Sequence, residues 1–144
     1  MRAVLQRVAR ARVSVGGDVV GEIGAGLCVL LAVERGDATA DAERLAAKIA
    51  RLRIFEDERG RFDRSVLDAG GSVLVVSNFT LAADTTKGNR PSLAAAAPPE
   101  QAEPLLQALS AALAAAGVTV ATGTFGARME VELVNDGPVT IVLE

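Results

Sequence analysis

The sequence predicts an α+β fold that is β-rich, with a sheet or barrel-like core and two main helices. Three observations lead there. An N-terminal stretch sets Val4, Val8, Val13 and Val15 among arginines, an uninterrupted apolar run covers Leu27 to Val33, and only two segments carry apolar residues at helical spacing. Taken in order, residues 2–15 alternate as strands do, and Gly16-Gly17-Asp18 turns the chain into Val19 and Val20, which makes an N-terminal hairpin. Gly24 and Gly26 punctuate the entry to the run 27–33, whose continuous apolarity suits a central strand buried on both faces. In 39–53, Leu45, Ile49 and Leu52 fall on one side while Glu43, Arg44, Lys48 and Arg51 occupy the other, an amphipathic helix that Asp37 or Thr39 could cap. Glu56 to Gly60 reads as a charged loop, and Ser72 to Phe79 as a β-branched strand. From Leu81 to Pro99 the pattern dissolves into a long loop, functional or laid as an arm over a neighbouring surface. A second helix starts at Pro98-Pro99 and stops at Gly117, with Pro104 either delaying its start or bending it. Strands at 118–122, 129–134 and 139–143 close the chain, the last two separated by Asn135-Asp136-Gly137-Pro138. The order strands, helix, strand, helix, strands favours α+β over a doubly wound sheet.

The chain has 144 residues, a formal net charge of −3, one cysteine and no histidine. That length gives one domain over 1–144. The absence of histidine excludes a Ser-His-Asp triad, a Cys-His dyad and an HExxH zinc site. Cys28 lies in the apolar run, where a thiol is a small hydrophobe, and a lone cysteine suits a reducing compartment. No signal-like or membrane-spanning stretch is present, so the expectation is a soluble cytoplasmic protein without membrane partners. Asp57, Asp63, Asp68, Asp84 and Asp136 are scattered without metal-ligand spacing, and no glycine-rich phosphate loop opens a helix, so no metal and no cofactor are expected. Mild acidity argues against a charge-driven nucleic-acid binder. Arg2, Arg7, Arg10 and Arg12, with Lys87 and Arg90 in the long loop, nevertheless offer a local basic rim.

Two places bring polar groups to a strand end. In Ser77-Asn78-Phe79-Thr80 an apolar strand delivers a hydroxyl, an amide, a ring and a second hydroxyl, although a strand ending in ordinary turn-forming residues reads the same way. Asn135 to Thr140 is a second such place, or a plain hairpin turn. The blocks Leu5-Gln6-Arg7-Val8, Gly26-Leu27, Leu52 to Asp57, Ser77 to Leu81, Lys87 to Ser92, Gly123 to Met129 and Asn135 to Thr140, in this order, resemble the D-aminoacyl-tRNA deacylase family over essentially the whole chain.

This resemblance implies a hydrolase that cleaves the ester between a D-amino acid and the terminal adenosine of tRNA, and that also releases glycine from mischarged tRNA. It implies an obligate-type homodimer with active sites at the subunit interface. There a cis Gly-Pro, matching Gly137-Pro138, enters the partner's pocket and excludes L side chains, braced by the arginine that Arg7 matches. Phe79 and Thr80 match positions whose backbone amides face the ester, and Ser77 and Asn78 line the same pocket. The resemblance places hydrolysis assisted by the substrate's own 2′-hydroxyl ahead of a covalent Thr80 intermediate, since no general base is evident near Thr80. Two positions depart from the family. Asn78 stands where Gln is usual, and Leu93 replaces an aromatic residue. The alternative for such a chain is a non-catalytic dimeric binder of aminoacyl-tRNA ends.

Overall fold

A computed structural model describes residues 1–144. It is α+β: a nearly closed, barrel-like sheet with two helices on one face. The sheet is organised by β1 (Arg2–Val15), which turns at Gly16-Gly17 into β2 (Asp18–Ile23) and runs on into β3 (Gly26–Ala32). Strands β2 and β3 lie end to end along β1, Ala11 opposite Ile23 and Leu5 opposite Val29, both antiparallel. The last strand, β8 (Glu130–Leu143), takes the other edge of β1 antiparallel, from Ser14 opposite Glu130 to Ala3 opposite Leu143. Beyond β3 the sheet continues with two parallel strands, β6 (Ser72–Ser77) and β7 (Thr119–Thr122). A small antiparallel pair, β4 (Phe55–Glu56) and β5 (Phe62–Arg64), stands apart from the six-stranded sheet.

Helices α1 (Thr39–Arg51) and α2 (Pro99–Ala115) cover the face that carries Ala3, Leu5, Leu27, Val29, Leu31, Val73 and Val75, and they insert Ile49, Leu109 and Leu113 there. The concave face holds a second core of Val8, Ala11, Val13, Ile23, Cys28, Leu74 and Val76. A strand buried on both faces must be apolar at every position, which is why β3 reads as an unbroken run. Curling the sheet brings β2 across β7, so closely that a methyl on Gly21 would sit 2.2 Å from the Thr122 carbonyl oxygen. Gly26 meets the same limit: a methyl there would lie 1.8 Å from Ser72 O, at a φ of +156°.

Several expectations change. Neither Asp37 nor Thr39 caps α1. The N-cap is Ala38, and Asp41 reaches back to accept its amide at 2.8 Å, while Asp37 accepts the amide of Glu34. Helix α2 does not start late; it runs from Pro99 to Ala115 with Pro104 inside it. The strands expected at 129–134 and 139–143 are one strand, β8, which shifts register beside Gln6 to Arg10 instead of turning. The strand expected over 72–79 ends at Ser77. The long loop is fastened near its end: the amide of Ala97 donates to Val33 O and that of Arg35 to Ala95 O, both at 2.9 Å, which ties residues 95–97 to the end of β3.

Candidate active site

The alternation of β6 puts Val73, Val75 and Ser77 on the helix-covered face, so the strand ends with a hydroxyl under α2. Asn78 leaves the strand but stays fastened to β3, its amide donating to Leu31 O at 2.8 Å. Phe79–Ala82 then form a single 3₁₀ turn, in which Leu81 N donates to Asn78 O. The first amides of such a turn, those of Phe79 and Thr80, have no acceptor inside it. The Phe79 side chain is 58% exposed. The Thr80 hydroxyl donates to Asn78 Oδ1 at 2.6 Å. An amide oxygen accepts that proton as a hydrogen bond and has no basicity to remove it, so this contact orients the hydroxyl without activating it.

Beside this turn lies a cleft of about 350 Å³. Ser77, Asn78, Phe79 and Leu31 form one side, Phe125 to Ala127 and Met129 the other, and Ala102 and Leu106 of α2 close it. Thr80 does not line the cleft and meets it through Asn78. No lining side chain is ionisable, so the Ser77 hydroxyl, the Asn78 amide and backbone groups are the only polar equipment. Sequence reasoning did not assign the wall 125–129 or Leu106 to the site. The block Gly123 to Met129 was a signal for the wall, but Leu106 looks like any other core leucine of α2.

The second predicted place is built around Arg7, which is only 6% exposed. Its guanidinium donates to Ile54 O at 2.9 Å and to Asp136 O at 3.2 Å, pairs with Glu56 at 3.3 Å, and lies 5.9 Å from the centre of the Phe62 ring. Arg7 therefore holds the backbone immediately before Gly137-Pro138, a cis peptide whose residues are both exposed. Gly137 has φ +131°, and a methyl there would lie 2.8 Å from Val139 Cγ2 and 2.9 Å from Val139 N.

Within one chain these two places do not meet. Met129 borders the cleft, and Gly137 follows eight residues later along extended chain, about 25 Å away. Of the basic rim, Arg10, Lys87 and Arg90 are exposed, while the other three are engaged. Arg7 is buried, Arg2 pairs with Glu34 and Arg12 with Glu132, and Arg2 to Arg12 span about 30 Å of one strand. No group of three or more His, Cys, Asp or Glu is placed to hold a metal, and no helix is long and apolar enough to cross a membrane.

Comparison with known proteins gives this geometry a family. A D-aminoacyl-tRNA deacylase of Ruegeria pomeroyi is 60% identical over 144 residues, covering 100% of this chain and 99% of that protein. One of Roseiflexus sp. is also 60% identical, covering 100% and 93%. The solved c-Myc DNA Unwinding Element Binding Protein superposes with a TM-score of 0.93 at 44% identity, over 100% of this chain and 98% of the other. A probable eukaryotic D-amino acid tRNA deacylase superposes with a TM-score of 0.86 over 99% and 97%, at an identity of 18% that speaks for the fold alone. The profile of the D-Tyr-tRNA(Tyr) deacylase family matches residues 4–144, and with that match and those identities the chain belongs to this enzyme family.

Proposed function

We propose that this chain, as a single domain over 1–144, is a D-aminoacyl-tRNA deacylase: it hydrolyses the ester joining a D-amino acid to the terminal adenosine of tRNA in the cytoplasm. The carrying observation is the cleft beside Ser77 to Thr80, apolar in most of its wall and free of ionisable side chains. A purine and ribose fit such a cleft, with Phe125 available for stacking. Water adds to the ester carbonyl, and the resulting oxyanion is stabilised by the backbone amide of Phe79 at the cleft wall, with that of Thr80 at its margin. The bond to the ribose oxygen then breaks, releasing free amino acid and tRNA. With no protein base at hand, the substrate's own 2′-hydroxyl orients the attacking water and relays its proton, accepting it while passing the hydroxyl proton to the departing ribose 3′-oxygen. Thr80, its proton committed to Asn78, acts as a hydrogen-bonding group and not as a nucleophile.

Enantiomer selection is assigned to Gly137-Pro138 of a second copy. One chain cannot bring its own Gly137 to its own cleft, and β8 presents Val131, Val134 and Val142 to solvent as an apolar edge for a homodimer. Inserted beside the ester, the two carbonyls of Gly137 and Pro138 face the α-amino group and leave no room for an L side chain. Glycine esters, lacking a side chain, pass.

The test compares release of amino acid from D-Tyr-tRNA, L-Tyr-tRNA and Gly-tRNA at low enzyme concentration. Release from D-Tyr-tRNA and Gly-tRNA with L-Tyr-tRNA spared supports the reading. Release of both enantiomers removes the chiral filter, and protection of all three esters makes the chain a binder of aminoacyl-tRNA ends.

A further inference from the structure

A second groove, of about 280 Å³, adjoins the cleft and shares Ser77, Leu106 and Phe125 with it. One wall is α2, where Glu103, Gln107 and Ser110 fall at i, i+4 and i+7 and so share a face. The other wall is the end of β7, with Thr122 and Gly123. Glu103, Gln107, Ser110 and Thr122 supply a carboxylate, an amide and two hydroxyls, and none of these side chains forms a hydrogen bond or salt bridge within the chain. Glu103 is the only charge in the groove, so the groove favours hydrogen-bond donors and disfavours phosphate.

We infer that this groove binds the base of the nucleotide preceding the terminal adenosine, the penultimate cytosine of the tRNA acceptor end. The inference rests on the deacylase reading, because it needs the adenosine in the adjoining cleft. The chemistry fits: the exocyclic amine of cytosine donates to the Glu103 carboxylate, its O2 and N3 accept from Gln107, Ser110 or Thr122, and Phe125 stands between the two bases. The phosphate linking the nucleotides stays outside, away from Glu103. The other candidate occupant is the amino acid's side chain. A groove with one carboxylate would then select cationic side chains, whereas a base common to every tRNA imposes no such selection.

Three synthetic esters of D-tyrosine test this: on adenosine, on cytidylyl-adenosine and on uridylyl-adenosine. For the wild-type enzyme, kcat/KM on the cytidylyl ester is expected to exceed that on the adenosine ester about tenfold, through KM, with the uridylyl ester close to adenosine because uracil presents a carbonyl to Glu103. E103A is expected to lower the cytidylyl ester to the level of the other two, and Q107A to do so in part. Equal kcat/KM for all three esters in the wild type overturns the inference, as does a loss in E103A shared equally by all three. A changed preference between D-lysyl and D-glutamyl adenosine in E103A assigns the groove to the side chain instead. Failure of the wild type to cleave any of the D-esters or D-Tyr-tRNA counts against the deacylase reading itself, a distinguishable outcome.

Discussion

Arg7 is the only charged residue buried in the fold. A buried guanidinium with two carbonyl partners and a carboxylate leaves unsatisfied acceptors if it is removed. Arg7→Ala is expected to cost about 3 kcal/mol in chemical denaturation. Arg7→Lys should recover only part of that, because an ammonium cannot reproduce the planar fork. Gly137→Ala places a methyl against Val139 at a φ that L residues rarely adopt, so a cost of about 1–3 kcal/mol is expected together with a loss of discrimination between D- and L-Tyr-tRNA. At Thr80, the 2.6 Å bond to Asn78 predicts that Thr80→Ala keeps activity within about tenfold. A fall of about four orders of magnitude in a folded variant would restore the nucleophile. Ser77 to Thr80 and Gly137-Pro138 stood out in the sequence through the family resemblance, because by residue type alone both segments also read as ordinary turns. The sequence could not show that Thr80 sits off the cleft or that Leu106 lines it, since both facts depend on how α2 crosses the sheet.

At the scale of elements, periodicity was a good guide wherever one face is buried. Helix α1 and the doubly buried β3 were legible for that reason. The errors fell where short-range chemistry decides. A single strand was divided at Asn135 to Pro138, because those residues also make turns, and the 3₁₀ turn after Ser77 was absorbed into its strand. The cap of α1 was missed because the carboxylate acts backward from the first turn, at Asp41, and not from the cap position. Two substitutions test the packing of elements. Gly26→Ala forces β3 from β6 at Ser72 and is expected to cost about 3 kcal/mol, read as a lowered denaturation midpoint. Pro104→Ala restores a backbone amide inside α2 and is expected to raise the midpoint, by up to about 3 kcal/mol of stability.

For the molecule as a whole, the absence of histidine fixes the pH behaviour. The amide and side-chain hydrogen bonds that Asp41, Asp57, Asp68 and Asp84 accept hold their carboxyls below the ordinary aspartate value. Each folded pKa is depressed, so its contribution is present above about pH 4 and is lost as the pH falls through the folded values. Burial pushes the Cys28 thiol up to about 11, so stability is lost again as the pH rises from about 9 toward 11. Denaturation midpoints should form a plateau between these limbs. The only ionisation expected near neutrality in the rate profile is that of the substrate's α-amino group. An inflection that moves when a protein side chain is substituted would contradict a reaction run by backbone amides.

Strand β1 is held along both edges, and the strand on its outer edge, β8, lies far from it along the chain. Closing a loop of about 140 residues to pair Ala3 with Leu143 costs roughly 4 kcal/mol of chain entropy before any contact is made. The hairpin of β1 and β2 can form early, but it must wait with an open edge, the kind that recruits strands from other molecules. Slow completion and a tendency of incompletely folded chains to aggregate are the expected price of a sheet sealed by strands so far apart in sequence.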